Sequence, residues 1–195
     1  ISMIVPLALV STQRMTIVQR VIENNAHTWY ANFAWRPGKL FDTVNRALTI
    51  YVSLRGSGNF FTCSTNYQKW NSDARNDLIP TMAYCGVIRD RLSFWVPKLG
   101  QCTEQSILFK LLSSQTHLDN FIGQSGHIIY YRTTGGLYWK VFTDFAPSFK
   151  CNSKIGHSSR ETTLSLVKAV YVKPTIAVLS SNFFWWWYSI TSNLR

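Results

Sequence analysis

The chain has 195 residues, 46% of them apolar and 15% charged, which supplies one substantial core or two small lobes and excludes the disordered compositions. The net charge of +11 is uneven: residues 1–62 carry six basic and two acidic groups, residues 63–119 six and five, and residues 120–195 eight and two. Two basic flanks favour a polyanionic partner, since each neutralised phosphate releases condensed counterions, but charge alone does not choose between DNA, RNA and an acidic lipid surface.

In chain order, Met3–Val10 reads as a buried strand, and the opening at Ile1 resembles an internal strand more than a signal peptide. Ser11 or Thr12 can cap a helix over 13–23, where Met15, Val18 and Ile22 recur at helical spacing, and Asn24 and Asn25 end it. The aromatic run 28–34 predicts a second strand. After the breaker Arg36-Pro37-Gly38, the β-branched run 47–54 predicts a third, followed by Gly56-Ser57-Gly58. Strand, helix, strand, loop, strand suits the closing part of a doubly wound α/β sheet whose last two strands pair antiparallel at the edge.

Beyond Gly58 the elements shorten. Residues 59–70 are strand-like, 72–83 and 103–112 helical, and 158–171 fit either a helix or a strand. A hairpin is expected from Ile128–Arg132 and Leu137–Phe142 around the turn Thr133-Thr134-Gly135-Gly136. The texture thus places a boundary near 57, with a mixed α+β region over 58–195. The hydrophobic stretch 175–188 is fourteen residues broken by Ser180, Ser181 and Asn182, against ~20 for a spanning helix, so no membrane partner and a cytoplasmic location are expected.

The chemistry-bearing patterns are mostly negative. Cys63, Cys85, Cys102 and Cys151 form no C-x-x-C pair and have no histidine at ligand spacing, which reads as four reduced thiols with neither a metal site nor a disulfide framework. His27, His117, His127 and His157 stand in no catalytic spacing, and neither a nucleophile elbow nor a glycine-rich phosphate loop is present.

The informative segment is Trp35-Arg-Pro-Gly-Lys-Leu-Phe-Asp-Thr-Val-Asn-Arg-Ala-Leu-Thr-Ile50, a basic aromatic loop between two apolar strands, stiffened by Pro37 and opened to close approach by Gly38. Met3-Ile-Val-Pro6, Arg36-Pro-Gly-Lys-Leu-Phe41 and Leu48-Thr-Ile50, in this order and spacing, resemble the TaqI-like (gamma-type) adenine-specific DNA methyltransferases of restriction-modification systems. More weakly, Ile176–Tyr188 looks like that family's L-N-S-S-L-F-x-W-Y helix. The resemblance implies a methyltransferase catalytic domain ending near 57, then a target recognition region that binds double-stranded DNA. It implies that Phe41 stacks on an adenine rotated out of the duplex, since an extruded base regains partners on an aromatic face.

It also implies what the chain lacks. The family's F-x-G-x-G loop for S-adenosylmethionine and its N-P-P-Y motif have no counterpart in this sequence, so the parent enzyme's cofactor is expected to find no site here. Methyl transfer would then need an upstream catalytic segment or a partner subunit, and the chain alone is expected to be inactive.

Other roles stay open. Arg36 suits a phosphate, the flipped nucleotide or a pair with Asp42. Lys39 and Arg46 suit phosphates or solvated surface. Tyr131, Arg132, Trp139 and Lys140 suit a DNA groove, or a strand's buried face. The run Trp185-Trp186-Trp187 suits packing more than base stacking. A noncatalytic nucleic-acid-binding module and an inactive gene fragment are the competing functions.

Overall fold

A computed structural model of the chain describes residues 1–90, 92, 94–132, 141–151 and 154–193. It contains ten strands and five α-helices among these residues, in two compact units: Ile1–Ser113 with Tyr188–Arg195, and Ser114–Trp187. The chain is mixed α/β, with one five-stranded sheet and smaller ones.

The first unit is built on strands β1 (Ser2–Pro6), β2 (Ala26–Phe33), β3 (Leu48–Arg55), β4 (Thr62–Gln68) and β5 (Cys85–Val87), in the order β1-β3-β2-β4-β5. Strand β3 runs antiparallel to both neighbours, from Ser2↔Val52 to Pro6↔Leu48 on one side and from Ala26↔Arg55 to Phe33↔Leu48 on the other. Strands β1 and β2 are therefore parallel, joined by a helical crossover, with β3 inserted between them. Strand β4 pairs parallel to β2, and β5 antiparallel to β4. The change of texture at Gly56–Gly58 is thus a loop between two strands of one sheet.

The crossover begins earlier than the hydrophobic run suggests. Pro6 has no N–H to donate onward, and β1 stops there; Ala8–Ser11 turn into a short helix, α1, and helix α2 spans Thr16–Glu23. Asn25 takes a left-handed φ of 53°, which ends the helix and starts β2. Met15 and Ile22 pack beneath, beside Leu7, Leu9, Val10, Tyr30, Tyr51 and Val96. Val18, on the same helical spacing, is exposed instead. The fully buried residue of α2 is Gln19, whose amide donates to the carbonyls of Leu9 (2.6 Å) and Phe94 (2.9 Å) and accepts from Arg89 (2.7 Å). Arg89 also holds Glu23 at 3.1 Å, and Glu23 accepts from the Tyr30 hydroxyl at 3.1 Å. Burial, then the Glu23 carboxylate, raises the Tyr30 phenol above its ordinary range.

Polar stitching also fixes the sheet centre. Asn32 is fully buried on β2, at the point where its register with β4 shifts. Its amide donates to Ser64 Oγ and Thr65 O, both at 3.0 Å, and its carbonyl oxygen accepts from Thr49 at 3.0 Å, so three strands share one satisfied side chain. Nearer the other end, Ser53 Oγ donates to Ile22 O at 2.8 Å and ties β3 to α2. Ser53→Ala should lower unfolding free energy by about 1 kcal/mol, the usual worth of one such bond; an unchanged urea midpoint would show that water replaces it.

Residues 95–99 form a buried strip in which Val96 N donates to Val10 O (2.8 Å) and Lys98 N to Ile190 O (3.1 Å). The Lys98 side chain is 1% exposed. Its ammonium donates to Ser11 Oγ (3.3 Å), Ile190 O (3.0 Å) and Ser192 O (2.8 Å), three neutral acceptors for three protons. Burial pushes this amine down to about 7. Helix α3 (Cys102–Leu112) follows, in good agreement with the expected 103–112, started by a capping box in which Glu104 accepts from the backbone of Gln101. Residues 72–77 form a short 3₁₀ helix of about two turns where a longer helix was expected, and Pro80 lies just beyond it.

The second unit carries β6 (Ile122–Arg132), β7 (Phe142–Thr143), β8 (Phe149–Cys151), β9 (Lys154–Gly156), β10 (Glu161–Leu166) and α4 (Val172–Leu179). Helix α5 (Asn182–Thr191) belongs to it as far as Trp187. Strand β6 is central, antiparallel to β10 and β7, and β8 pairs with β9. Segment 158–171, open between helix and strand in the sequence, supplies β10. Gly126 is required where β6 crosses β10, because a β-carbon there would stand 2.2 Å from Leu166 O. Ile129, Leu166 and Val172 form the core, with Phe121 edge-on to Tyr171 at 4.8 Å. No described helix is long and apolar enough to cross a membrane.

Candidate nucleic-acid interface

The loop 34–47 leaves β2 at Phe33 and returns at Leu48, so its two ends are adjacent partners in the ladder. The end of β4 and the segment following it hold the loop. Ala34 N donates to Gln68 O and Gly38 N to Trp70 O, both at 2.8 Å. Arg75 donates to Leu40 O and lies 3.5 Å from Asp42 Oδ1. Leu40 packs against the buried cluster of Ala31, Phe33, Ala34, Trp70 and Leu78, in which the Phe33 and Trp70 rings meet edge to face at 5.9 Å.

This anchoring sorts the side chains of the loop. Leu40 turns inward, whereas its neighbour Phe41 keeps 41% of its surface exposed. Arg36 and Arg46 are exposed and Lys39 half-buried. The Arg36 guanidinium stacks over the Trp35 ring at 4.1 Å, and Asp42 faces Arg75. In place of the pair with Asp42 that the sequence left open for Arg36, the structure shows a cation resting on an aromatic face. Four residues singled out in the sequence, Arg36, Lys39, Phe41 and Arg46, accordingly share one loop, with Asp42 its single carboxylate.

Tyr131 and Arg132 end β6 in the second unit. Tyr131 is half-buried with its ring 5.6 Å from Phe142, its register partner on β7, so it contributes to packing. Arg132 is exposed and faces Glu161 across the ladder. Trp139 and Lys140, with the turn before them, lie outside the described residues. Within the second unit, Phe183 and Trp186 stack at 5.8 Å on α5.

Two participants escaped the sequence reading. Trp70 appeared only as the end of a strand-like run, and Arg75 as part of a polar helix. Neither has a local signal, because each meets the loop from about thirty positions away through backbone groups.

Gly56 and Gly58, the glycines after β3, have open space where a β-carbon would stand, whereas one on Gly38 would meet Trp70. The described residues contain no group of three or more His, Cys, Asp or Glu suited to a metal. Cys63, Cys85 and Cys102 are free thiols, and burial, then the neighbouring Cys102, raises Cys85 to about 11. No family model, curated protein or solved structure matches the chain.

Proposed function

We propose that this chain is the C-terminal part of a site-specific adenine DNA methyltransferase. It contributes a base-receiving loop and duplex contacts to an S-adenosylmethionine-dependent enzyme whose cofactor and N-P-P-Y motifs reside elsewhere. The observation that carries the reading is the presentation of Phe41: a large aromatic ring, half exposed, held beside Arg36 and Lys39 on a loop braced at four points. An exposed ring flanked by cations is suited to receive a nucleobase while the cations meet its phosphates.

The sheet supports the same reading. The order β1-β3-β2, with the antiparallel strand inside a parallel crossover, supplies the antiparallel pair expected at the close of a doubly wound sheet, although that pair lies inside the sheet because β4 continues from β2. Among the described residues no strand pairs with the outer edge of β1, and Ile4, Val52 and Leu54 are exposed on one face nearby. We assign this edge to the missing catalytic segment or partner subunit. On this assignment the isolated chain transfers no methyl group.

The test is Phe41→Ala in an enzyme reconstituted with the catalytic segment. Duplex binding should persist, while methylation slows about tenfold or more for loss of one stacked base. Fluorescence of 2-aminopurine at the target position should change in parallel, since it reports the unstacked base. Unchanged turnover and fluorescence would remove Phe41 from the mechanism. Duplex binding with no target-base signal in either protein would instead favour a noncatalytic module.

A further inference from the structure

Trp70 is 7% exposed, and its indole N–H has no hydrogen-bond partner in the protein. A buried donor is normally satisfied, and one left unpaired carries a desolvation cost that calls for a reason. The position of this donor supplies one. Trp70 Nε1 lies 2.6 Å from where a β-carbon on residue 38 would stand, so the N–H edge faces the bare side of Gly38, at the centre of the Arg36–Lys39 turn. The turn is fastened to the same residue by the bond from Gly38 N to Trp70 O.

We propose that the Trp70 indole N–H and the Arg36–Lys39 turn over it form a binding site for an anionic oxygen, of the kind a DNA phosphate presents. This rests on the reading of the loop as a DNA contact and adds a donor to it. The chemistry selects an anion for two reasons. Arg36 and Lys39 flank Gly38 with positive charge, and the loop's one carboxylate, Asp42, is directed to Arg75. A charged oxygen is also the acceptor that gains most from a donor shielded from water, because such bonds are roughly twice as strong as neutral ones. Gly38 presents no side chain toward Nε1, so the oxygen reaches the donor once the Gly38 N–H bond to Trp70 O is released, at the cost of about one backbone hydrogen bond. In the free protein the turn rests on the ring and the donor waits unpaired.

Trp70→Phe separates donor from floor, since it keeps an aromatic ring against Phe33 and Gly38 and removes the N–H. Full-length chain carrying ¹⁵N-labelled indoles, with the Trp70 resonance assigned by its loss in Trp70→Phe, is titrated with mixed-sequence duplex DNA and separately with inorganic phosphate. The Trp70 indole proton should move downfield in both titrations, and Trp70→Phe should weaken duplex binding about tenfold, the worth of one charge-assisted bond, with its thermal midpoint recording that it folds. A duplex that binds without moving the Trp70 resonance, or that binds Trp70→Phe as tightly as the parent, makes the indole a floor only and overturns the proposal while leaving the DNA reading intact. A resonance moved by phosphate in a chain that binds no duplex upholds the anion site and removes the DNA reading.

Discussion

A Gly38→Ala chain is expected to lose the geometry of the loop 34–47. The added methyl would stand 2.6 Å from Trp70 Nε1, 2.9 Å from Trp70 Cδ1 and 2.8 Å from the Trp70 carbonyl oxygen. The ring is wedged edge-on against Phe33, and the carbonyl is main chain that also accepts the Gly38 N–H, so neither neighbour can yield cheaply. The loop must move away, breaking that bond and carrying Arg36, Lys39 and Phe41 with it. Overpacking of this kind costs about 1–3 kcal/mol, visible as a lower urea midpoint. On the proposed reading of the loop as a DNA contact, duplex affinity should fall more than tenfold, because several loop contacts are misplaced together. Fluorescence anisotropy with labelled duplex measures the second effect, and a variant matching the parent in both readouts would show that the loop is not set by Trp70.

Lys98 predicts a dependence of stability on pH with an unusual direction. Its ordinary value of 10.5 applies to the unfolded chain, whereas burial lowers it to about 7 in the folded one. Between these limits the unfolded state binds the extra proton, so stability rises with pH through the window, is complete above 10.5, and is flat below about 7. From about pH 7 to about pH 9 the gain is about 2 kcal/mol. The raised thiols of Cys63 and Cys85 and the raised phenol of Tyr30 act in the opposite sense, but only as pH climbs past their ordinary values of 9.0 and 10.0. Urea titrations between pH 7 and pH 9 therefore isolate the lysine. Lys98→Met should abolish the slope. A parent protein whose midpoint is level across this range would mean that Ile190 O, Ser192 O and Ser11 Oγ hold the amine charged throughout.

The parts of the fold legible in the sequence are those rich in aromatic and β-branched side chains. Residues 28–34 and 47–54 appear as β2 and β3, antiparallel as expected but inside the sheet, not at its edge. Met3–Val10 is continuous in hydrophobicity, and hydrophobicity alone did not mark the break at Pro6, where strand gives way to the short helix α1. Val18 and Gln19 show a second limit of pattern: the helical stripe points to Val18, but the groove under α2 offers carbonyls and a guanidinium, which a glutamine satisfies and a valine does not. At the candidate site, the basic character of the loop with Arg36, Lys39 and Arg46 could be read from composition, and Phe41 is singled out within it by the family resemblance. The loop's support could not be read so, because the groups that hold it are the main-chain oxygens of Gln68 and Trp70, which every residue type possesses. Lys98 is hidden for the same reason: nothing in its own surroundings in sequence announces acceptors at positions 190 and 192.

Those distant acceptors also order events on the ribosome. All five strands of the first sheet have been synthesised by Val87, yet the Lys98 amine meets its carbonyl partners 92 and 94 positions later. At ~5–20 residues per second, about five to twenty seconds separate the two. During that interval the second unit is being made, and the nascent first unit carries a lysine whose burial is unfinished. The inserted unit therefore sets a delay between assembling the sheet and locking it.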